Sequence, residues 1–364
     1  MNNQINLVQT YQNQQAASAC GFAMAPADIQ TMASISYALL TGALHYQQAE
    51  QQIKSIVGNA FVYREGNKRI VIVSQNQRFV IKIAKLAGYE GIRDNMNEQT
   101  SCVFMNTQSK YRAMKYAPEI IAVYGTAEFP GLVLVQEKHK EILEDIARNL
   151  GMAVSEQKIL EKYIGTVCGA GYTIVKKMLD AVADECFISD LPLVRSAANL
   201  SMNSLGTFAI LDWGSALPKN GFEARCTKCG APMKYHVEEQ SAFTSSATYN
   251  DMNTIKPTYR CVANDAHEID PDLFFSKLTA GDSSVIMPVQ EAINYINQMG
   301  QQRAQTNTAQ DIPTSQTFPY NGVNYYVGSA TYNSTGGSFR RLFALNSQPT
   351  NLYVNTATSQ VVQG

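Results

Sequence analysis

Charge is scarce in this chain: Asp, Glu, Lys and Arg make up only 16 % of 364 residues. The charge that is present balances, with 29 basic against 30 acidic side chains and a net charge of −1. Such a balance gives no global attraction to nucleic acid or to an anionic membrane. Long apolar runs are also missing, and none approaches the roughly 18–20 residues that a membrane-spanning helix needs. The opening stretch, MNNQINLVQTYQNQQ, has neither a basic n-region nor an apolar core, so no secretory signal is expected there. The seven cysteines are odd in number, and Cys20, Cys102, Cys168 and Cys186 stand singly. Scattered thiols exclude a disulfide framework and point to a reducing compartment, the cytoplasm. Asn, Gln, Ser and Thr take the place of charge, a composition that also suits a viral, phage-encoded chain in a host cytoplasm.

What is present is a sizeable core: 45 % of the residues are apolar, enough for one large domain with additions, or two. Residues 1–26 are Gln/Asn-rich with little periodicity and read as a loose arm. From Ala27 to about residue 56, Ile29, Met32, Ile35, Leu39, Leu40 and Leu44 recur at helical spacing. The period then changes to that of short strands: FVYRE, KRIVIVSQ and RFVIKIAK, then EIIAVYG and GLVLVQE after a helix at 94–116. Residues after His139 read as helical to about Ala183, followed by a loop-rich segment at 188–206. A helix, VQEAINYINQMGQQ, precedes a polar linker at 301–316. The last fifty residues read as a small β domain whose Asn321-Gly322 pair marks a hairpin.

Phosphoryl transfer gives these elements specific tests: a cation for the phosphates, oxygen ligands for a metal, and a base near the acceptor hydroxyl. Lys82 sits among Val80, Ile81 and Ile83 on an apolar strand, where an ammonium is costly unless it meets an anion. The alternative is an edge strand with Lys82 turned to solvent. Glu98, sixteen residues on (82 to 98), lies in the following helix and can pair with it, or can be a solvated helix charge. Gly58 lets backbone amides approach a phosphate, or simply caps a helix. NLSMNSLGTFAILDWG reads as a hairpin with a turn at NSLG that returns Asp212 beside Asn199. An amide oxygen and a carboxylate side by side are hard ligands suited to Mg²⁺. Trp213, the single tryptophan, follows Asp212 directly.

With these residues in place, the sequence resembles the protein-kinase-like superfamily. VIKI looks like its β3 lysine motif, Glu98 like the helix-C glutamate, and GLVLVQEKH like the fifth strand and hinge. NLSMNSLGTFAILDWG looks like the catalytic-loop asparagine followed by Asp-Phe-Gly, with Trp213 in place of Phe. The likeness covers residues 55–216, with a helical remainder to about 300. It implies an α+β, bilobal fold with a five-stranded antiparallel N-lobe at 57–139 and a helical C-lobe at 140–300. Residues 1–56 would precede it as an arm and helices, and 317–364 would follow as a β-rich appendix. It further implies that Lys82 holds the α- and β-phosphates of ATP and that Glu98 orients Lys82. Asn199 and Asp212 would bind Mg²⁺, and backbone groups near Glu137 and Lys138 would meet adenine. Three departures stand out. The Gly-rich loop is reduced to Gly58, and His-Arg-Asp is replaced by Ile188, Ser189 and Asp190. Asp190 also lies nine residues before Asn199, where the usual base stands five before; Val194 holds that place. Asp190 serves as the catalytic base only if four extra residues loop out, carrying Arg195 with them; otherwise it is a turn residue before Pro192.

CTKCGAPM places Cys226 and Cys229 in a C-x-x-C with a Gly-Ala-Pro turn, and YRCVANDAHEI adds Cys261 and His267. Together they make a Cys₃His set for structural Zn²⁺, with His236 as a competing fourth ligand and Asp265 a poorer one. Four good ligands leave no open position for catalysis. The resemblance puts this zinc ribbon, at about 222–270, where a kinase activation segment runs. Two functions are therefore expected: an ATP/Mg²⁺-dependent phosphotransferase acting on protein Ser/Thr hydroxyls, or a catalytically inactive kinase-shaped scaffold that contacts partners through its zinc ribbon and β appendix. The appendix aromatics (Phe318, Tyr320, Tyr325, Tyr326, Tyr332, Phe339) read first as its core, with a binding surface as the alternative.

Overall fold

The computed structural model describes residues 5–58, 61–65, 68–74, 78–85, 89–141, 177–189, 200–236, 257–334 and 337–363. Residues 61–65, 140–141, 200, 300–310 and 333–334 are described by their backbone alone. All five expected strands form: β2 (Phe61–Glu65), β3 (Arg69–Ser74), β4 (Phe79–Ala84), β5 (Ile120–Gly125) and β6 (Val133–Glu137). They join a six-stranded antiparallel sheet in the order β1-β5-β6-β4-β3-β2, with β1 at Val8–Gln12. In this order β4 is interior, and Lys82 pairs with Val71 on one side and Leu134 on the other. The edge-strand reading of Lys82 is thereby overturned.

The two-residue strand period divides the sheet into two differently used faces. Ile70, Ile72, Phe79, Ile81, Ile83, Val133 and Val135 pack against Ala33, Ile35, Ala49 and Ile53 of α2 (Pro26–Leu40) and α3 (Tyr46–Val57). The opposite face carries Leu134 into a second core with Cys102 and Met105 of α4 (Glu90–Thr107). Lys82 and Gln136 share Leu134's strand parity, so both fall on the face that meets α4. Among the described residues, then, the protein is a mixed α/β fold in which one sheet separates an apolar face from a face with polar groups in it.

Residues 1–26 depart from the loose arm expected of them. Val8–Gln12 pairs antiparallel with β5, Val8 opposite Gly125, and α1 (Gln14–Cys20) follows. Asn13 caps α1 by accepting from Ala16 N at 3.1 Å, and Gly21 ends it at φ 61°. The strand is mostly exposed, so its stability comes from backbone pairing on a sheet edge, which leaves no hydrophobic pattern to read. Helix α4 starts four residues before the expected 94 and ends at Thr107 instead of 116. Lys140–Glu141 form the short strand β7; residues 142–176 of the expected helices, and Asp190, Val194, Arg195 and Asn199, lie outside the described residues. Residues 177–185 are helical and lead into β8 (Cys186–Ile188).

Downstream, the expected hairpin forms from β9 (Leu200–Met202) and β10 (Phe208–Ile210), with Ile210 opposite Leu200. Gly206 supplies the left-handed turn position, φ 72°. β11 (Ala216–Pro218) pairs with β8. A five-stranded sheet follows, built from β12 (Phe222–Arg225), β13 (Pro232–His236), β14 (Thr258–Cys261), β15 (Glu268–Ile269) and β16 (Ile286–Pro288). Tyr259 of β14 is buried, and its hydroxyl bonds both the N–H and the carbonyl of Ile188, at 2.9 and 3.2 Å. These two hydrogen bonds tie the cysteine-bearing sheet to β8.

The chain divides into two compact units, Met1–Met287 and Pro288–Gly364. In the second, the helix Val289–Gln310 runs through much of the stretch expected as a linker. Gln, Arg and Ala there are competent helix formers, so polarity alone was a poor guide to a break. A meander of five strands, Pro313–Tyr320, Val323–Ser334, Gly337–Phe343, Pro349–Asn355 and Val361–Gln363, completes the unit. Its first turn places Asn321 at φ 49° and Gly322 at φ 77°, the two positive angles that a type I′ hairpin requires. Phe318 and Tyr325 pack on a core of Val327, Leu342 and Val354, as their core reading expects.

Gly91 sets how closely α4 approaches the sheet. A Cβ there would lie 2.6 Å from the Lys68 carbonyl and 3.1 Å from Ala84 Cα. Ala ordinarily favours a helix over Gly by about 1 kcal/mol. Gly91→Ala is nevertheless expected to lower the melting temperature, because the added methyl meets backbone that cannot yield; an unchanged or higher value in a thermal melt would contradict this packing.

Candidate functional site

Glu98 is the centre of the polar face. It projects from the middle of α4, has no exposed surface, and uses each carboxylate oxygen for a different cation. Oε1 lies 2.5 Å from Lys82 Nζ, and Oε2 lies 2.5 Å from Arg69 Nη1. Gln136, turned so that its amide nitrogen faces Glu98 Oε1 at 3.0 Å, offers its oxygen to Lys82 Nζ at 3.3 Å. Asn95, one turn earlier, bonds the Gly131 carbonyl at 2.8 Å and so fixes α4 against the sheet. A buried carboxylate with two cations and an amide around it meets the condition under which buried charge is tolerated.

Asp212 joins the same cluster from the hairpin. Arg69 Nη2 donates to its Oδ1 at 2.8 Å, and the Gly214 N–H donates to that same oxygen at 3.1 Å. Lys82 Nζ reaches the neighbouring Leu211 carbonyl at 3.5 Å. Oδ2 has no hydrogen-bond partner among the described residues, and the side chain is 42 % exposed. Burial pushes the Asp212 pKa up, but the Arg69 and Lys82 cations outweigh it and hold the carboxyl well below the usual range. Burial works against the charge on Arg69, yet Asp212, Glu98 and Asp94 keep it firmly protonated. Asp94, 3.5 Å from Lys68 Nζ, is raised by burial despite the nearby Arg69 and Lys68.

The segment after Asp212 is gripped by α4. Asn97 Nδ2 donates to the Gly214 carbonyl at 3.0 Å, and Ser101 Oγ donates to the Ala216 carbonyl at 2.7 Å. A Cβ on Gly214 would lie 3.0 Å from the Asp94 Cβ, so this glycine answers to close approach of the helix. Trp213 is buried in the core that includes Cys102 and Met105 of α4, and its Nε1 donates to the Ile210 carbonyl at 3.0 Å. The structure therefore brings Lys82, Glu98 and Asp212 together. Asn199 and Asp190 lie outside the described residues.

Gly58 ends α3 at φ 54°, and its N–H donates to the Lys54 carbonyl. Of the two readings of this residue, the helix cap is the one its backbone adopts. At the end of β6, the Glu137 N–H donates to the Glu119 carbonyl at 2.8 Å, and the Lys138 N–H to the Arg78 carbonyl at 2.9 Å. The N–H groups of Glu137 and Lys138, among the backbone groups expected near adenine, are thus bonded within the protein. Glu137 also meets the buried His139, Oε2 to Nε2 at 3.3 Å. Burial raises the Glu137 pKa, but the bond from His139 prevails and lowers it.

A second constellation lies in the cysteine sheet. One ligand atom each from Cys226, Cys229, Cys261 and His267 falls within 4.8 Å of the others. Cys226 Sγ faces His267 Nδ1 at 3.6 Å, and Cys229 Sγ faces Cys261 Sγ at 3.4 Å. The knuckle is closed by the Gly230 N–H on the Cys226 carbonyl, 2.7 Å, with Gly230 at φ 77°. His236 pairs with Thr258 along β13 and is outside this group, so His267 is the imidazole present. Three thiols and an imidazole at this spacing form a donor set suited to a metal such as zinc.

Arg69, Gln136 and Asp94 were missed in the sequence. Arg69 follows Lys68 at a strand start, where a basic pair reads as a solvated turn. Its one available signal was register: Arg69 pairs with Ala84, one position of the same parity beyond Lys82.

No protein-family model matches the chain, and no curated protein matches it. Among solved structures, it is similar to the bifunctional kinase-methyltransferase WbdD at 16 % identity and a TM-score of 0.27. That match covers 43 % of this chain and 32 % of that one, so this chain spans about a third of WbdD. WbdD with the kinase inhibitor LY294002 matches at 18 % identity and a TM-score of 0.26, covering 43 % of this chain and 33 % of that one. The Rv3197–erythromycin complex from Mycobacterium tuberculosis matches at 11 %, covering 56 % of this chain and 60 % of that one, with a TM-score of 0.24. At such TM-scores the likeness decides nothing, and the chemistry rests on this chain's own side chains. Among the described residues, no helix is long and apolar enough to cross a membrane.

Two outcomes follow from the geometry. Glu98→Gln leaves Lys82 and Arg69 as buried cations short of their carboxylate, a loss of about 3–5 kcal/mol that urea denaturation would read as a lower midpoint. Incubation with a strong chelator should lower the melting temperature and release about one Zn²⁺ per chain, since structural zinc contributes folding energy directly. Purified protein without bound zinc, or with a melt indifferent to chelation, would refute the metal assignment.

Proposed function

We propose that the chain is an ATP- and Mg²⁺-dependent phosphotransferase of protein-kinase type, passing the γ-phosphate to Ser/Thr hydroxyls of a protein substrate. The observation that carries this reading is the buried Lys82–Glu98 pair on a central strand and its facing helix, set beside the half-exposed Asp212 carboxylate. Glu98 orients the Lys82 ammonium, and Lys82 meets the α- and β-phosphates. Asp212, through Oδ2, and Asn199 hold the metal ion, which neutralises phosphate charge when bound. Adenine lies against backbone groups near Glu137 and Lys138. Asp190 is the proposed base, accepting the proton of the acceptor hydroxyl. The Cys₃His group is a structural zinc ribbon that stands in for an activation segment and holds the substrate-docking region in shape without phosphorylation.

A second reading is a nucleotide-binding scaffold without phosphotransfer. Two observations favour it: Gly58 is a helix cap with its N–H spent on Lys54, and Ile188-Ser189-Asp190 replaces His-Arg-Asp.

The deciding measurement is the melting temperature with ATP, with and without Mg²⁺, in wild type and Asp212→Ala. Binding at a hundredfold excess over Kd adds about 2.7 kcal/mol to stability, enough for a clear upward shift. Wild type is expected to shift only with Mg²⁺ present, and Asp212→Ala not at all. No shift in wild type sinks both readings. A shift without label transfer from γ-labelled ATP to any protein in a mixed substrate pool selects the scaffold.

A further inference from the structure

Arg69 has no role in the phosphotransfer just proposed, yet it touches two of that site's carboxylates, Glu98 and Asp212. Its guanidinium is buried, and its two terminal nitrogens end on Glu98 Oε2 and Asp212 Oδ1, at 2.5 and 2.8 Å. A planar fork that is always charged suits this bridge, because its two terminal nitrogens point at separate partners from one side chain. With the Gly214 N–H also on it, Asp212 Oδ1 carries two donors, while Oδ2 has none among the described residues.

This arrangement limits what Asp212 can do for metal ions. A carboxylate serves two divalent cations most readily with one on each oxygen, and here one oxygen faces a fixed cation. The four charges of Lys82, Arg69, Glu98 and Asp212 already sum to zero. A second divalent ion on Oδ1 would have to push aside a buried guanidinium that also supports Glu98. We propose that Arg69 is a built-in cation standing where a second metal ion would bind Asp212, so that the site takes one divalent ion with its nucleotide. Arg69 is then a positioning residue: it acts through Asp212 and touches no substrate. The inference rests on the nucleotide-binding reading of Lys82 and Asp212.

The test counts Mn²⁺, used in place of Mg²⁺, bound per protein-bound molecule of a non-hydrolysable ATP analogue on the full chain. Electron paramagnetic resonance of the free ion gives the count. Wild type should hold one Mn²⁺ per bound nucleotide. Arg69→Gln uncovers Oδ1 and should hold two; Arg69→Lys keeps a cation there and should hold one. A merely structural arginine would change the melting temperature of both variants without changing the count. Two ions in wild type, or one in Arg69→Gln, overturns the inference and leaves the nucleotide site standing. A wild type that binds no nucleotide removes the functional reading and the inference together. Should Arg69→Gln fail to fold, the wild-type count decides alone, one ion supporting the inference and two overturning it.

Discussion

Everything at the candidate site depends on one fully buried carboxylate. Glu98 lies where a charge is costly, and it is stable there because Lys82 and Arg69 each take one of its oxygens. Those two cations come from adjacent strands, β4 and β3, and the carboxylate comes from the helix across from them. The ion cluster therefore fixes the distance and rotation of α4 on the sheet. Neutral residues of the same size would fill the space without specifying that rotation. Through Arg69 the constraint extends to Asp212, so helix, sheet and hairpin meet at a single electrostatic point.

The backbone completes what the charges begin. Asn97 and Ser101, one turn apart on α4, and Asn95 on another side of the helix each donate to a main-chain carbonyl of another segment: Gly214, Ala216 and Gly131. Trp213, next to Gly214 in the chain, supplies the apolar counterpart by filling the core with Cys102 and Met105 of α4. Asp212 is thus held from its own backbone, from Arg69, and from the helix that carries Glu98. The cysteine sheet is joined to the same body by the Tyr259 hydroxyl on Ile188, so a metal on Cys226, Cys229, Cys261 and His267 would brace the strands next to β11.

Much of this was legible in the chain. The five strands announced themselves by β-branched runs with polar turns, and the hairpin at 200–210 by a glycine between two apolar runs. Lys82 was conspicuous because a lysine amid valine and isoleucine demands an explanation. The C-x-x-C with a later cysteine and histidine gave the metal donors, while the choice between His236 and His267 needed the strand register. Other features were hidden for identifiable reasons. The strand Val8–Gln12 stands on backbone hydrogen bonds at an edge and buries little, so it leaves no apolar pattern. The helix through Gln310 is polar, and polarity was mistaken for a break. Gly58 was ambiguous until its φ and its bond to Lys54 showed a helix cap.

By itself the sequence determined the order of elements, the scarcity of charge, and the residue types able to do chemistry. Local physics is enough for those, since strand period, turn residues and ligand spacing act over a few positions. Only the tertiary structure decided that β4 is an interior strand and that Lys82 points at Glu98. It alone decided that Arg69 spans two carboxylates separated by more than a hundred residues of chain. A buried charge is tolerable only once its partners are in place, and those partners come from segments that sequence distance does not relate.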